Sequence, residues 1–244
     1  HPLDDHYFPL VERMIRRADG VISSSSFLQK RFGGVVIPFG ADTDLFHPRT
    51  EEECAPLRSV LGLNDKKIIV FAGVVRPHKG MESLLAAVQA VGDPALRVLV
   101  VGPVTDYLAE LRSRPEYASW LHGVGAQRKE MVAQYLGLAD LVVIPQGNTW
   151  LARSQVPCKV FEAMAMGKPV IATAVSDLPE ILDGCGWIVP PDDSSGLANA
   201  IRYALVHPAE GLEKGKAARM KCLQRYSKKV MSEQWMHYVE QAVG

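Results

Sequence analysis

Residues 157–173, PCKVFEAMAMGKPVIAT from Pro157 to Thr173, read as a short helix, a glycine stop and a buried strand. Pro157 suits the first helical position, where a missing N–H costs nothing. Gly167 is the left-handed residue that closes a helix. Pro169 to Thr173 is a short apolar run rich in β-branched residues, hence a strand. At about 100° per residue, Val160, Phe161, Met164 and Ala165 share one arc, and Lys159, Glu162, Ala163 and Met166 the opposite one. One face is therefore expected in the core, with Lys159 and Glu162, three apart, together on the other. A lysine in a first helical turn is unfavourable unless an anion lies nearby. The residues alone leave two readings open: a surface Lys–Glu pair, or a pair that faces a ligand.

The same alternation runs outward in both directions. On the N-terminal side, the sequence predicts a helix over Asp5–Arg17, a short strand over Asp19–Ser23 and a serine cap, Ser23–Ser26, before a second short helix. A strand over Val35–Pro38 leads into a turn-rich loop, Phe39–Pro48, and a helix over Glu51–Leu61 with acidic residues in its first turn. The pattern then becomes regular: strands over Ile68–Val75, Arg97–Val101, Trp120–Val124 and Asp140–Pro145. Helices are expected from Gly80 to about Ala90, from about Thr105, and over Arg128–Leu138, with a polar loop over Gln146–Gln155. After Thr173 come a helix at Pro179–Leu182, a strand at Gly186–Val189, a helix at Ser195–Val206 and two closing helical stretches. Strands and helices alternating through short connections give an α/β chain, a Rossmann-like parallel sheet with helices on both faces. Ligands of such sheets sit beyond the carboxyl ends of the strands.

The bulk properties narrow the function. The chain has 244 residues, zero formal net charge and 48% hydrophobic composition, which supports a large core and argues against a broad nucleic-acid surface. Cys54, Cys158, Cys185 and Cys222 form no C-x-x-C pair and read as free thiols of a reducing, cytoplasmic compartment. No apolar run approaches the roughly 20 residues of a membrane span. Beginning at His1, the chain reads as a piece of a longer protein.

Three groups of residues are candidates for chemistry. The segment Phe71–Gly80 presents Gly73, Arg76, His78, Lys79 and Gly80 beyond a strand end, a setting for a phosphate or diphosphate or else a solvated basic loop. It is neither a P-loop nor a dinucleotide fingerprint, since G-x-x-x-x-G-K-[ST] and G-x-G-x-x-G are both absent. Glu162 could accept from paired ribose hydroxyls while Lys159 meets phosphate charge. Gln146, Asn148, Arg153 and Ser154 of the polar loop can hydrogen-bond a polyol, and Gly123–Val124 end a strand where a flat base could rest. No metal signature appears, and no metal is expected.

As a set, in order and spacing, ADGVISSSSFLQKRF (18–32), VIPFGADTDLFHP (36–48), VFAGVVRPHKGMESLLAA (70–87), LGLADLVVIP (136–145), VFEAMAMGKPVIAT (160–173) and LPEILDGCGWIVPPDD (178–193) resemble the nucleotide-sugar glycosyltransferases of group 1, family four, which have the GT-B fold. That resemblance implies two facing Rossmann-like domains. Residues 1–34 would end the N-terminal acceptor domain, 35–226 would form the donor domain, and 227–244 would be a helix crossing back to the first. It implies that Lys79 contacts the donor diphosphate, that Glu162 is the second carboxylate of an E-x7-E pattern and holds the ribose, and that the base stacks at Gly123–Val124. Gly73 belongs to the same donor-binding set. Two positions depart from the pattern. The first carboxylate is replaced by Ser154, and an arginine after the glycine by Val74, with Arg76 expected to serve instead. The P-x-K-[LV]-F-E-type variant matches Pro157–Glu162 and makes Lys159 a second cation.

The resemblance implies retaining transfer of a sugar from a nucleoside diphosphate sugar to a carbohydrate or lipid-linked acceptor hydroxyl. Lys79 and Glu162 would be the principal catalytic-site groups, and there would be no cofactor. The full-length protein would be cytoplasmic, with peripheral membrane association. These residues alone would bind nucleotide and transfer sugar poorly. The alternative, carried by Ser154 and Val74, is a nucleotide-binding module without catalysis.

Overall fold

The computed structural model describes residues 12–15 and 17–243. Residues 12–15 are helical; the rest of the helix expected over Asp5–Arg17 falls largely outside the described residues. Two short parallel strands come first, β1 (Ile22–Ser23) and β2 (Val35–Val36), joined by the helix Ser26–Phe32, with Ser25 as its cap. Both strands are shorter than the sequence suggests. The helix Glu51–Val60 follows, closed by a capping box in which Thr50 and Glu53 satisfy each other's backbone N–H.

Six parallel strands make the main sheet: β3 (Lys67–Ala72), β4 (Leu96–Val101), β5 (Leu121–Gly123), β6 (Leu141–Ile144), β7 (Val170–Thr173) and β8 (Trp187–Val189). Their spatial order is β5-β4-β3-β6-β7-β8. The four inner strands, β4, β3, β6 and β7, are buried on both faces, so consecutive side chains enter opposite cores. Ile68 and Val70 join Val142, Val170 and Ala172 on one face; Ile69 and Phe71 join Val98, Val100, Val143 and Ile171 on the other. The first core is closed by residues of the helices Lys129–Gly137, Cys158–Ala165 and Pro208–Arg225. The second is closed by Met81–Val91, Asp106–Ser113 and Ser194–Val206. Each fully buried Leu or Phe contributes about 1.5–3 kcal/mol, which makes these two layers the main source of stability.

The opening stretch forms as a helix, Cys158–Ala165, with Gly167 at φ +65° and then β7. Two details differ from the sequence reading. Pro157 is the residue before the helix rather than its first member, at φ −68° and ψ 122°. Glu162, Ala163 and Met166 are buried as well, and the helix Pro208–Arg225 packs over this one, with Cys222 Sγ 3.5 Å from the Phe161 carbonyl. The loop over Gln146–Gln155 also contains a helical turn, Trp150–Arg153, capped by Thr149 Oγ1, which accepts from Ala152 N at 3.1 Å.

The last helix, Lys228–Val243, starts where Ala41 N donates to Tyr226 O at 2.8 Å and Lys228 N to Ala41 O at 2.7 Å. It then runs back over β1, where Val21 N donates to Tyr238 Oη at 3.1 Å. Among the described residues, no helix is long and apolar enough to cross a membrane.

Candidate functional site

Strand order reverses between β3 and β6: from β3 the chain steps outward to β4 and β5, and from β6 in the opposite direction to β7 and β8. Loops leaving two such neighbours diverge, and a crevice opens at their carboxyl ends. The loop after β3 carries Gly73, Arg76 and Lys79; the segment after β6 carries Gln146, Ser154, Lys159 and Glu162. Phe71, Ala72, Lys79, Pro145, Pro157 and Lys159 line a cavity of about 40 Å³ at the floor of this crevice. It has room for a few waters, so most of a larger ligand must lie above it.

Two glycines let the walls approach. Gly73 has φ +128°, and a Cβ there would lie 3.8 Å from Lys79 Nζ, which places the ammonium directly over the strand end. Gly80 has φ +69°, and a Cβ would collide with the Pro145 carbonyl, so any other residue would push the β3 and β6 loops apart. The turn Pro77–Lys79 is a single 3₁₀ turn, with Arg76 O accepting from Lys79 N at 2.9 Å. His78 O accepts from Gly147 N at 3.1 Å and ties the two walls together.

The electrostatics of the crevice are unbalanced. Burial, then Arg76, then Lys159 push the Lys79 ammonium below its ordinary pKa. His78 is pushed down by burial and by the same neighbours, Lys79 and Arg76. The Lys79 ammonium makes no hydrogen bond or ion pair with any described residue. Lys159 does: its Nζ donates to Glu162 Oε2 at 2.9 Å. Glu162 is 7% exposed, so this is no surface pair; the carboxylate is half-spent on Lys159 and keeps its other oxygen. The Cys158 thiol, pushed up by burial and by Glu162, stands in the same group.

Gly73, Arg76, Lys79, Lys159 and Glu162 thus come together at this crevice. Gly123 and Val124 lie at the end of β5, on the same edge of the sheet but two strands away from β3. Val124 N donates to Val100 O at 3.0 Å, and Val124 O accepts from Gln127 Nε2 at 2.7 Å, so its backbone groups are already engaged. Ser154 is buried and its hydroxyl donates to Leu151 O at 2.9 Å, away from the cation cluster. Gln146 is spent internally, its Nε2 donating to Ala152 O at 3.3 Å, and Arg153 Nε donates to Asn148 Oδ1 at 2.7 Å. One wall residue escaped the sequence reading: Asp192, at φ +60°, accepts from Asn148 N at 3.2 Å and holds the loop from outside. Its only sequence signal is the turn Pro190-Pro191-Asp192-Asp193. Among the described residues, no three His, Cys, Asp or Glu side chains gather as a metal centre.

Comparison with known proteins bears on this geometry. The family model described as "Glycosyl transferases group 1" matches residues 66–207. The GDP-mannose-dependent alpha-(1-6)-phosphatidylinositol monomannoside mannosyltransferase of Mycolicibacterium smegmatis is 27% identical over 90% of this chain and 62% of its own. The sucrose-phosphate synthase structure from Thermosynechococcus elongatus superposes with a TM-score of 0.77 at 28% identity, covering 94% of this chain and 60% of that one. The structure of HepE of Anabaena in complex with UDP-glucose gives a TM-score of 0.81 at 23% identity, over 92% of this chain and 64% of that one, and shares the fold. The chain spans about half the length of the curated relatives it matches.

Proposed function

Because the chain belongs to the glycosyl transferases of group 1, we propose that it is the donor half of an enzyme that moves a sugar from a nucleoside diphosphate sugar to an acceptor hydroxyl. The observation that carries this reading is the cation cluster at the β3–β6 switch point. The Lys79 ammonium stands over Gly73, Arg76 and Lys159 are near enough to depress it, and Glu162 pairs with Lys159 alone among the described residues. Such a site is short of negative charge, and a diphosphate supplies it.

As the glycosidic bond breaks, charge builds on the leaving diphosphate. Lys79 and Arg76 from one wall and Lys159 from the other meet that charge already in place, each contributing on the order of 3 kcal/mol. No protein-held metal is needed for that step. Glu162, oriented by Lys159, accepts from the ribose hydroxyls. The base lies against Gly123 and Val124 by flat contact, since Val124's polar groups are occupied. Transfer is retaining in this reading, with a leaving phosphate oxygen taking the acceptor's proton. Residues 35–226 form the donor domain, and the helix over 227–244 crosses back to the acceptor domain, of which 1–34 is the end. The setting is cytoplasmic and membrane-peripheral, with a carbohydrate or lipid-linked acceptor.

The test is a calorimetric panel of UDP, GDP and ADP with their sugars, beginning with GDP-mannose and UDP-glucose, the nucleotide sugars in the names of a relative and of a structural neighbour's complex. A bound nucleotide at a hundredfold excess over Kd should stabilise the fold by about 2.7 kcal/mol. No response to any of them sinks the reading. These residues alone should bind nucleotide and turn over slowly. The second reading, a nucleotide-binding module, draws on Ser154, whose hydroxyl is turned onto Leu151 O and leaves no sugar-binding carboxylate at that position. Binding without donor hydrolysis or transfer in the full-length protein would favour it.

A further inference from the structure

Asp177 stands at the start of the helix Leu178–Ile181, where an aspartate ordinarily caps its own helix. It makes no such bond. Its carboxylate turns instead to a distant segment. Oδ2 accepts from Ser26 N at 2.8 Å, and Oδ1 accepts from the Ser26 hydroxyl. Beside it, Ser25 Oγ donates to Ser154 O at 3.1 Å in a buried bond and accepts from Leu28 N at 3.3 Å. On the same side, Phe27 meets the Trp150 ring edge-on, with centroids 5.4 Å apart and planes at 89°. The Arg31 guanidinium lies 5.3 Å from that ring's centre. The helix Ser26–Phe32 therefore grips both ends of the turn Trp150–Arg153 and the chain that leaves β7.

The backbone at that exit is strained. Ser176 has φ +54°, and its Oγ is buried without a hydrogen-bond partner. A left-handed serine costs about 1–2 kcal/mol, and strain of this kind survives only where the surroundings over-determine it. At this exit it aims Asp177 away from its own helix and towards Ser26.

Both gripped elements build the crevice. Residues 150–156 run through Pro157 into Lys159. The Thr173 hydroxyl at the end of β7 donates to Gln146 O at 2.7 Å. We propose that Ser25, Ser26 and Asp177 form a latch that fixes the segment 150–156 against the crevice, as positioning residues for the sugar end of the donor. What the crevice holds rests on the glycosyltransferase reading; the latch itself does not. Lys79 and Arg76 are carried by the loop after β3, and Lys159 by the helix Cys158–Ala165, which has its own packing against Pro208–Arg225, so losing the latch should weaken the hold on the sugar more than the hold on the diphosphate.

The experiment combines amide hydrogen exchange with binding of UDP, UDP-glucose, GDP and GDP-mannose to Asp177→Ala and Ser25→Ala. Exchange over 26–29 and over 150–156 should rise together by about tenfold in each variant. The free nucleotides should keep their affinity to within about twofold, while the preference for nucleotide sugar over nucleotide falls about fivefold. Asp177→Asn, which still offers Ser26 N an acceptor, should recover part of both effects. Faster exchange confined to 26–29 would reduce Asp177 to a helix cap and overturn the latch. Equal weakening of nucleotide and nucleotide sugar would overturn its role at the sugar end. Should the parent chain bind no nucleotide, the donor reading fails while the exchange measurement still decides the latch.

Discussion

The two edges of the six-stranded sheet treat charge in opposite ways. At the amino edge, Arg58, Lys67 and Lys168 each have a partner. Arg58 donates to Leu138 O at 2.9 Å and to Lys66 O at 3.0 Å, and pairs with Asp140 at 3.3 Å. Asp140 also accepts from Ile68 N at 2.7 Å, Lys67 meets Asp93 at 2.9 Å, and Lys168 Nζ donates to Gly137 O at 2.6 Å. At the carboxyl edge, Arg76, Lys79 and Lys159 crowd together with Glu162 on one of them. Lys168 and Lys79 make the contrast sharp. Burial pushes both below the ordinary lysine pKa, but Lys168 is held by a carbonyl and Lys79 is surrounded by like charge. A buried lysine with a partner fastens the fold; one facing cations is waiting for an anion.

The most direct way to break this comparison is to exchange the roles of the two edges. Lys79→Met should lower the affinity for a nucleoside diphosphate about 100-fold, the equivalent of about 3 kcal/mol, by calorimetry. Its melting temperature should not fall, because no hydrogen bond or ion pair of the ammonium with a described residue is lost and Met keeps the apolar stem. A variant that binds normally but melts early would make Lys79 a second Lys168. At the amino edge, Asp140→Ala should cost about 2 kcal/mol of stability in urea titration, since Ile68 N and Arg58 lose a charged acceptor. Nucleotide affinity there should stay within about twofold.

The sheet was legible because strands buried on both faces read as unbroken apolar runs, as in Ile68–Phe71 and Val98–Val101. Strand order was not: that β6 sits beside β3, and so makes the switch point, is a pairing across the sheet with no local trace in the sequence. The helix at Cys158–Ala165 shows the same limit. Its periodicity marks Val160 and Phe161 as core, but Ala163 and Met166 are buried too, in a core that a helix some fifty residues later, Pro208–Arg225, helps to close. Lys79, Lys159 and Glu162 were found because glycine, proline and charge stand at strand ends. The orientation of Ser154 was not legible, since a hydroxyl has several partners within reach and only the fold chooses Leu151 O. The turn Trp150–Arg153 is too short to show a helical period.

The Lys159–Glu162 pair lies between the two behaviours, and Glu162→Gln sharpens which one it follows. If the carboxylate serves the ribose, this variant should lose about tenfold in nucleotide affinity, close to the worth of one charged hydrogen bond. It should also stop distinguishing a nucleotide from its 2′,3′-dideoxy form. Loss of stability with the discrimination intact would assign the pair to the fold, as at the amino edge.

The smallest expected effect is a difference in sign with pH. At the amino edge, the Lys67 ammonium and Ala95 N–H hold Asp93 below its ordinary value of 3.8. A depressed carboxylate adds stability above its unfolded pKa, and that stability is lost as pH falls through the folded one, so this edge should loosen in acid. At the carboxyl edge, Lys79 is depressed by burial and by neighbouring cations from its ordinary 10.5. Below the folded pKa both states are protonated and the penalty of a crowded cation is fully present. Between the folded pKa and 10.5, the unfolded chain binds more protons, and stability rises with pH. Lys79→Met should therefore flatten the alkaline rise and leave the acid loss untouched. An anion in the crevice favours the charged lysine, so nucleotide binding in that alkaline window should take up protons. Calorimetry in two buffers of different ionisation enthalpy measures this uptake. If it appears in the parent and persists in Lys79→Met, the proton belongs to another group, and the crevice owes its shortage of negative charge to something other than Lys79.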